Sequence, residues 1–140
     1  RYCLEEAARL GKKVVVLDRP NPIGGAVEGN LLELAMLSFV GAHPLPMRHG
    51  LTLGEMGQWF VRSLGLDVDY RVVEMQGWEP ARGPGFGWPV YELPWVNPSP
   101  NASSLNMARC FPGTVLFEGT TLSEGRGTTR PFEIRGSSAS

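Results

Sequence analysis

The pattern of apolar and polar positions predicts a helix followed by a buried strand at the start of the chain. Residues 2–10 (YCLEEAARL) contain good helix formers, and Gly11 after them is a typical helix stop. Residues 13–17 (KVVVL) form a short, β-branched and nearly all-apolar run, which is typical of a strand covered on both faces. A helix, a tight turn and a buried strand form the repeating unit of α/β folds with a parallel sheet.

A second unit of the same kind begins at Thr52. Thr52 and Glu55 have the spacing of a capping box, in which each side chain bonds the backbone N–H of the other residue. The apolar residues that follow share one helical face: Leu53, Met56, Phe60 and Leu64. We therefore predict a helix over residues 53–64, ended by Gly65, and a strand within the β-rich residues 67–75 (DVDYRVVEM).

Glycine and proline mark the loops between these units. Residues 18–30 and 41–50 hold closely spaced prolines and glycines, so we predict irregular loops there, with a short helix over residues 31–38. Residues 77–100 are rich in proline and aromatic residues, which favours an ordered long loop with a short strand over a disordered linker.

The last part of the chain is predicted to contain a helix, a turn and a strand. Residues 103–110 are typical of a short helix, and Pro112 with Gly113 is typical of a turn. Residues 114–117 are predicted to form a strand that delivers Glu118 at its end. We expect a domain junction within residues 100–113.

Composition restricts the classes of function. The 140 residues are 42% hydrophobic and 19% charged with a formal net charge of -1, which is typical of one globular domain. This charge gives no long-range attraction to nucleic acid or to an anionic membrane, and no apolar run approaches the ~20 residues of a membrane span. Cys3 and Cys110 lack metal-ligand spacing and indicate no disulfide framework. Because the chain begins at Arg1 within a predicted helix, we expect a piece of a longer protein, whose targeting segment would lie upstream.

The loop after the first predicted strand is the first candidate site. Asp18, Arg19 and Asn21 follow the carboxyl end of the strand and alternate with Pro20 and Pro22. Ligands of open α/β sheets gather at that edge, so these side chains could bind a polar ligand. Alternatively, Asp18 and Asn21 could cap the turn while Arg19 pairs with a carboxylate.

Other single residues have a chemical and a structural interpretation. Glu28 is a candidate acid or base, although such a residue is more often a solvated loop charge. His43 and His49 lack a third ligand for zinc, so we favour loop histidines that make hydrogen bonds, and His49 could still contact a substrate. Packing is the commoner role of tryptophan. The tryptophans that could instead stack on a sugar ring are Trp78, Trp88 and Trp95.

The strongest candidate is the run over residues 116–133 (LFEGTTLSEGRGTTRPFE). Glu118 and Glu124 could flank a scissile bond, while Arg126 and Arg130 could hold an anionic group. The glycines on both sides of Arg126 allow the backbone to approach a ligand closely. The alternative is a salt-bridged loop in which Glu124 pairs with Arg126 or Arg130.

Several long motifs resemble, in the same order, the NamZ-type family of bacterial exo-β-N-acetylmuramidases. The motifs are VVLDRPNPIGG…VEGN, SFVGAHPLPMRHGLTLGEM, SPN and FPGTVLFEGTTLSEGRGTTRPFE, and they extend from about Val14 to Glu133. Members of the family are glycoside hydrolases that release N-acetylmuramic acid from the non-reducing ends of peptidoglycan fragments, in cell-wall turnover and recycling. The resemblance therefore implies a peptidoglycan-derived saccharide, MurNAc-GlcNAc, as the substrate.

The resemblance also implies a fold. Members have a Rossmann-like N-terminal domain and a smaller C-terminal domain, with the active site in a cleft at their interface. Residues 1–110 would be the C-terminal part of the first, parallel-sheet domain, and residues 111–140 the beginning of a smaller α+β domain. The family's Pro-Glu-His-Gly motif, which is expected to supply a catalytic carboxylate, does not occur in this sequence. The chain alone is therefore expected to be inactive. The resemblance favours a secreted or periplasmic protein and implies no particular oligomeric state.

Roles for the candidate residues follow from the resemblance. The lactyl carboxylate of N-acetylmuramic acid would be bound by the guanidinium fork of Arg126, Arg130 or Arg19. Glu118 or Glu124 would be the second carboxylate of a catalytic pair. The other candidate substrate contacts are Asp18, Asn21, Glu28 and His49. No metal and no organic cofactor is expected.

Two other classes of function compete with a hydrolase. The first is a non-catalytic sugar- or peptidoglycan-binding α/β module, in which Trp88 and Trp95 are stacking platforms. The second is an anion-binding α/β domain of another enzyme, in which Arg126 and Arg130 hold a phosphate.

Overall fold

The computed structural model describes residues 1–79 and 88–137, and the chain divides into two compact units, Arg1–Gly87 and Trp88–Ser140. The first unit contains, in chain order, α1 (Tyr2–Arg9), β1 (Val14–Leu17), β2 (Glu28–Leu31), β3 (Pro46–Arg48), α2 (Leu53–Ser63) and β4 (Tyr70–Val73). The second contains α3 (Leu105–Thr114). No helix among the described residues is long and apolar enough to cross a membrane.

A two-stranded parallel sheet forms the centre of the first unit. Strands β1 and β4 pair in parallel, with Val14 opposite Tyr70 and Leu17 opposite Val73. Helix α2 packs on one face of the sheet, and α1 packs on α2. The parallel α/β unit predicted from the sequence is thereby confirmed.

The prediction that β1 is covered on both faces is wrong for the described residues. Burial alternates along the strand, and Val15 and Leu17 are 52% and 67% exposed. The reason is that α2 covers only the face of the sheet that carries Val14 and Val16.

Helix α2 begins at the predicted capping box. The Thr52 hydroxyl accepts the backbone N–H of Glu55 at 3.2 Å, and the Glu55 carboxylate accepts the backbone N–H of Thr52 at 2.8 Å. The helix buries Phe60 and is followed by Gly65, whose φ of 61° suits a residue without a Cβ. Local capping signals therefore place the start and the end of this helix as predicted.

Gly54 lets the end of β1 approach the N-terminus of α2. A Cβ at this position would lie 2.9 Å from the Asp18 carboxyl carbon and 2.7 Å from a methyl group of Val72. We expect Gly54→Ala to lower the free energy of unfolding by about 1–3 kcal/mol, because the sheet and the helix must separate. Urea denaturation checks this.

Gly113→Ala is the matched control for that substitution. Gly113 lies within α3, and its Cβ would meet nothing within 4 Å, so alanine should stabilise the protein by up to about 1 kcal/mol. A Gly54→Ala variant as stable as the wild type would contradict the close approach of Asp18.

The predicted loops of the first unit contain a second sheet. Strands β2 and β3 pair antiparallel with a register shift between Glu28 and Leu31, so the prediction of irregular structure throughout residues 18–30 and 41–50 is wrong there. The glycine at 29 permits this pairing, because it has a φ of 91° and a Cβ would lie 2.9 Å from that of Met47.

The helix predicted over residues 31–38 is reduced to one turn of 3-10 helix, Leu34–Met36. Its apolar residues pack on no core within residues 1–79 and 88–137, since Leu34 and Met36 are 73% and 65% exposed. A short helix without a packed face is not stable by propensity alone.

The second unit is built around α3. Ser104 caps this helix by accepting the backbone N–H of Met107 at 3.0 Å. The helix continues through Pro112 and Gly113 to Thr114 and is followed by a 3-10 helix, Val115–Gly119. The predicted turn at Pro112 and the predicted strand over residues 114–117 are therefore wrong.

The physical reason is that the hydrogen bonds of residues 114–120 join residues that are close together in the chain. The Thr114 hydroxyl donates to the Cys110 carbonyl at 3.1 Å, and Thr120 donates from both its backbone and its hydroxyl to the Phe117 carbonyl at 2.9 Å. No partner strand in the described residues competes with them. Glu118 consequently lies on a 3-10 helix and not at the end of a strand.

The core of the second unit joins α3 to the loop that follows it. Ala102, Met107 and Phe132 form a buried cluster, and Pro131 is fully buried. Within residues 88–100 the chain forms turns and bends and no strand, while residues 80–87 of the predicted long loop lie outside the described residues. The predicted division into residues 1–110 and 111–140 stays a prediction.

Candidate active site

Asp18 anchors the carboxyl end of β1 to the N-terminus of α2. Its Oδ1 accepts the backbone N–H groups of Arg19 at 3.0 Å and Gly54 at 2.8 Å, and its Oδ2 accepts the Thr52 hydroxyl at 2.7 Å. Carboxylates at a helix N-terminus bond orphan N–H groups and oppose the positive end of the helix dipole. This geometry favours the capping interpretation of Asp18.

Asn21 has a similar structural role, whereas Arg19 does not. The Asn21 Oδ1 accepts the backbone N–H of Ile23 at 3.0 Å, and its Nδ2 donates to the Leu51 carbonyl at 3.0 Å. Arg19 is exposed, and its guanidinium makes no hydrogen bond or ion pair within residues 1–79 and 88–137. Arg19 is therefore the group of this loop that is available to a ligand.

Glu28 is held by an arginine on the neighbouring strand. Its carboxylate forms an ion pair with Nη1 of Arg48 across β2 and β3, and Nη2 of Arg48 donates to the Ile23 carbonyl at 2.7 Å. The pair favours a structural role for Glu28. Sequence reasoning missed Arg48, since its partner lies twenty residues away and on a different strand.

The two histidines have different surroundings. The Nδ1 of His49 accepts the backbone N–H of Leu51 at 3.1 Å, so the ring carries its proton on Nε2. Burial lowers the pKa of His49 below its usual value, and the ring is neutral at pH 7. His43 packs edge-on against Trp59 at 4.7 Å, and its buried Nδ1 has no partner among the described residues, so the expected hydrogen-bonded histidine is found only at His49.

We expect the free energy of unfolding to fall as the pH drops below about 6.5. The folded pKa of His49 is lowered, so the unfolded chain, whose histidine keeps a pKa near 6.5, takes up the proton first. Urea denaturation between pH 8 and pH 5 measures the fall. His49→Asn, whose side-chain oxygen can accept the same N–H, should show a smaller one, and an unchanged pH dependence would contradict this role of burial.

In the second unit, one arginine binds both predicted catalytic carboxylates. Nη2 of Arg126 lies 2.5 Å from Oε1 of Glu118, and Nε lies 2.8 Å from Oε1 of Glu124. Nε and Nη2 form one edge of the guanidinium, so the two carboxylates lie side by side. The structure thus brings Glu118, Glu124 and Arg126 into one cluster. The ion pair between Glu124 and Arg126 is also one that the alternative of a salt-bridged loop predicted.

Glu124 is the more constrained member of this pair of carboxylates. Its side chain is 13% exposed, whereas that of Glu118 is 42% exposed. Its own backbone N–H and then Arg126 hold the pKa of Glu124 below its usual range, so Glu124 is ionised at neutral pH. Gly125 permits the bend, because it has a φ of 80° and a Cβ would lie 2.8 Å from the Ile134 carbonyl.

Arg130 is paired with a carboxylate that sequence reasoning did not select. Its Nη2 lies 2.8 Å from Oε2 of Glu133, and Oε1 of Glu133 accepts the Ser104 hydroxyl at 2.6 Å. The Ser104 hydroxyl and then Arg130 lower the pKa of Glu133, whose side chain is only 8% exposed. Glu133 therefore ties the loop to the N-terminus of α3.

The buried ring of Phe132 lies against Arg126 of the cluster formed by Glu118, Glu124 and Arg126. Phe132 is 2% exposed, and its ring lies 5.4 Å from the Arg126 guanidinium carbon. Its backbone N–H donates to the Glu124 carbonyl at 2.6 Å, and its φ of 62° is uncommon for a residue with a large side chain. Residues held in this sparsely populated region of φ and ψ cluster at functional sites.

The tryptophans of the second unit have a packing geometry. The rings of Trp88 and Trp95 meet edge to face with centroids 5.3 Å apart. Their indole N–H groups donate to the carbonyls of Leu93 at 2.8 Å and Ala102 at 3.0 Å. This favours packing over sugar stacking for these two rings, while Trp78, in the first unit, keeps a buried N–H without a partner among the described residues.

A further carboxylate lies at the edge of the sheet in the first unit. Glu74 follows Val73, which pairs with Leu17, so it lies beside Asp18. It is exposed, and no described residue forms an ion pair with it. The strand-end rule applied to β4 would have found it. Among the described residues, no group of three potential ligands could hold a metal ion.

Comparison with known proteins identifies the family. Residues 1–106 match the family described as exo-beta-N-acetylmuramidase NamZ, N-terminal, and residues 109–140 match exo-beta-N-acetylmuramidase NamZ, C-terminal. The chain belongs to the NamZ family. A curated relative, the peptidoglycan beta-N-acetylmuramidase NamZ of Bacillus subtilis (strain 168), is 43% identical over 136 residues, which are 96% of this chain and 32% of the relative.

Solved structures resemble this NamZ-family chain over nearly its whole length. Two DUF1343 family proteins from Bacteroides fragilis NCTC 9343 are 34% and 33% identical, with TM-scores of 0.79 and 0.81. The matches cover 95% and 94% of this chain and 36% and 34% of those proteins. The chain thus spans about a third of the length of its relatives, and its mixed α/β fold with a parallel sheet agrees with a partial Rossmann-like domain.

Proposed function

We propose that this chain is part of an exo-β-N-acetylmuramidase that releases N-acetylmuramic acid from the non-reducing end of peptidoglycan fragments in cell-wall turnover and recycling. The observation that carries the proposal is the cluster in which Arg126 binds Glu118 and Glu124, in a chain that belongs to the NamZ family. The relative from Bacillus subtilis, which bears the name of a peptidoglycan beta-N-acetylmuramidase, supports the choice of substrate.

The chemistry of glycoside hydrolysis suits such a cluster. Cleavage uses one carboxylic acid to protonate the leaving oxygen and one carboxylate to act as base, nucleophile or electrostatic stabiliser of the developing positive charge. Because its pKa is lowered, Glu124 is a poor proton donor and fits the second role. The proton then comes from Glu118 or from a carboxylate in another part of the protein.

The contacts of the arginines argue against the competing phosphate site. Arg126 and Arg130 both have carboxylate partners, at 2.8 Å or less. A phosphate would have to displace these partners and would be repelled by them. A muramidase needs the same carboxylates in place.

The direct test uses the protein at the full length that its gene encodes and a 4-nitrophenyl β-glycoside of N-acetylmuramic acid. We expect release of 4-nitrophenol, followed by absorbance. Calorimetric binding of the glycoside without any release would contradict the proposal and would favour a non-catalytic sugar-binding module.

A further inference from the structure

Two different segments of the second unit carry the candidate catalytic carboxylates. Glu118 lies on the 3-10 helix Val115–Gly119, which continues directly from the end of α3. Glu124 lies in the loop that follows, between Ser123 and Gly136, whose backbones bond each other at 2.8 and 3.1 Å. The distance between the two carboxylates therefore depends on how this loop is held against α3.

The direct link between the two segments is an exposed ion pair. Arg126, on the loop, holds Glu118 and Glu124 side by side, but the side chains of Arg126 and Glu118 are both exposed. Exposed ion pairs are screened by water and hold two backbone segments only weakly. A less exposed contact is needed to fix the backbone of the loop.

Glu133 supplies such a contact between the loop and α3. Its Oε1 accepts the hydroxyl of Ser104 at 2.6 Å, and the Ser104 oxygen accepts the backbone N–H of Met107 at 3.0 Å. Since its lowered pKa keeps Glu133 ionised at neutral pH, this short bond is of the strong, charge-assisted kind. Glu133 thereby fastens the end of the loop to the first turn of α3.

The residue before Glu133 carries this anchor to Glu124. The backbone N–H of Phe132 donates to the Glu124 carbonyl at 2.6 Å, and Phe132 is 2% exposed. Because Phe132 and Glu133 are adjacent, a shift of Glu133 away from Ser104 would move Phe132 and, with it, the backbone of Glu124.

We infer that Glu133 is a positioning residue of the proposed reaction, which through its bond to Ser104 holds Glu124 at a fixed distance from Glu118. The inference rests on the proposed function and deepens it. Both carboxylate oxygens of Glu133 are occupied by protein partners, Ser104 and Arg130. The side chain is therefore needed for its hydrogen bond and not for proton transfer.

The experiment separates the hydrogen bond of Glu133 from its charge. The full-length protein is assayed on the 4-nitrophenyl β-glycoside of N-acetylmuramic acid. Glu133→Ala loses the bond to Ser104 and should lower kcat by about 10-fold with a much smaller change in KM, because a misplacement of about 1 Å can slow a reaction by up to about 100-fold. Glu133→Gln, whose side-chain oxygen still accepts the Ser104 hydroxyl, should keep most of the wild-type kcat.

Two further variants separate positioning from a general loss of stability. In a Glu124→Gln background, Glu133→Ala should lower kcat little further, because the effects of residues that act as a unit are not additive. Ala108→Gly removes a side chain of α3 that packs against the buried cluster of the second unit, and it leaves the bond between Ser104 and Glu133 in place. It should lower the urea midpoint of unfolding without the fall in kcat.

The inference is overturned if Glu133→Ala keeps the wild-type kcat, or if Ala108→Gly lowers kcat as much. It is also overturned if Glu133→Gln is as impaired as Glu133→Ala, since Glu133 would then act through its charge. A full further fall in the Glu124→Gln background would likewise show that Glu133 does not act through Glu124.

A wild-type protein that does not hydrolyse the glycoside would contradict the proposed function, and hydrogen exchange then decides the role of Glu133 separately. The Phe132 amide, which donates to the Glu124 carbonyl, should exchange faster in Glu133→Ala than in Ala108→Gly. Equal exchange rates in these two variants would show that Glu133 does not hold the loop.

Discussion

Replacing Glu124 with glutamine is expected to lower kcat on a muramic acid glycoside by about 10²–10⁴-fold. The carboxylate is held ionised by its own backbone N–H and by Arg126, and a neutral amide cannot act as base, as nucleophile or as a stabiliser of positive charge. KM should change much less, because the interaction is strongest in the transition state. Steady-state kinetics on the full-length protein measure both constants.

Glu118→Gln and Glu92→Gln complete this comparison. Glu118→Gln should also reduce kcat, since Glu118 shares Arg126 with Glu124. Glu92 is exposed and outside the cluster, so Glu92→Gln should retain the wild-type rate. If the Glu118 and Glu124 variants both fold normally and keep wild-type rates, the assignment of the catalytic carboxylates is wrong.

Replacing Arg126 with methionine is expected to have the second largest effect. Two carboxylates would then lie together without their cation, so the pKa of Glu124 should rise. Since a protonated Glu124 is inactive, the acid limb of the pH–rate profile should move to higher pH. Both carboxylates also lose the guanidinium that fixes their positions, so kcat at pH 7 should fall by about 10-fold or more.

Arg130→Met is the matched control for the loss of Arg126. Arg130 lies in the same loop, but it pairs with Glu133 and not with Glu124. Its loss should leave the acid limb in place while it lowers stability. An acid limb that moves equally in both variants, or in neither, would show that Arg126 does not set the ionisation of Glu124.

The elements that the sequence predicted correctly are those specified by local signals. Thr52 and Glu55 complete the capping box, Gly65 follows α2, and the β-branched residues of β1 pair with β4. Each signal depends on the types and the spacing of residues that lie close together in the chain.

The elements that were missed depend on contacts between distant residues. Strands β2 and β3 form because Gly29 meets Met47 and because Glu28 meets Arg48, which no local pattern reveals. Residues 114–117 have the composition of a strand, but α3 continues into a 3-10 helix and no partner strand in the described residues is available. Tertiary context therefore overrides β-propensity there.

The candidate site was predicted by residue type but not by pairing. The density of charge over residues 116–133 pointed to Glu118, Glu124 and Arg126, while their arrangement around one guanidinium depends on the bend at Gly125. The sequence also left three arginines equal as anion binders. Only the contacts of the folded chain distinguish a free guanidinium from those already paired.

The most direct measurement is the mass of the sugar that the full-length protein releases from two disaccharides of opposite order. From N-acetylmuramic acid linked β-1,4 to N-acetylglucosamine, we predict free N-acetylmuramic acid, and from N-acetylglucosamine linked to N-acetylmuramic acid, we predict no product. Cleavage of the second disaccharide, or of neither one, would contradict an exo-acting β-N-acetylmuramidase.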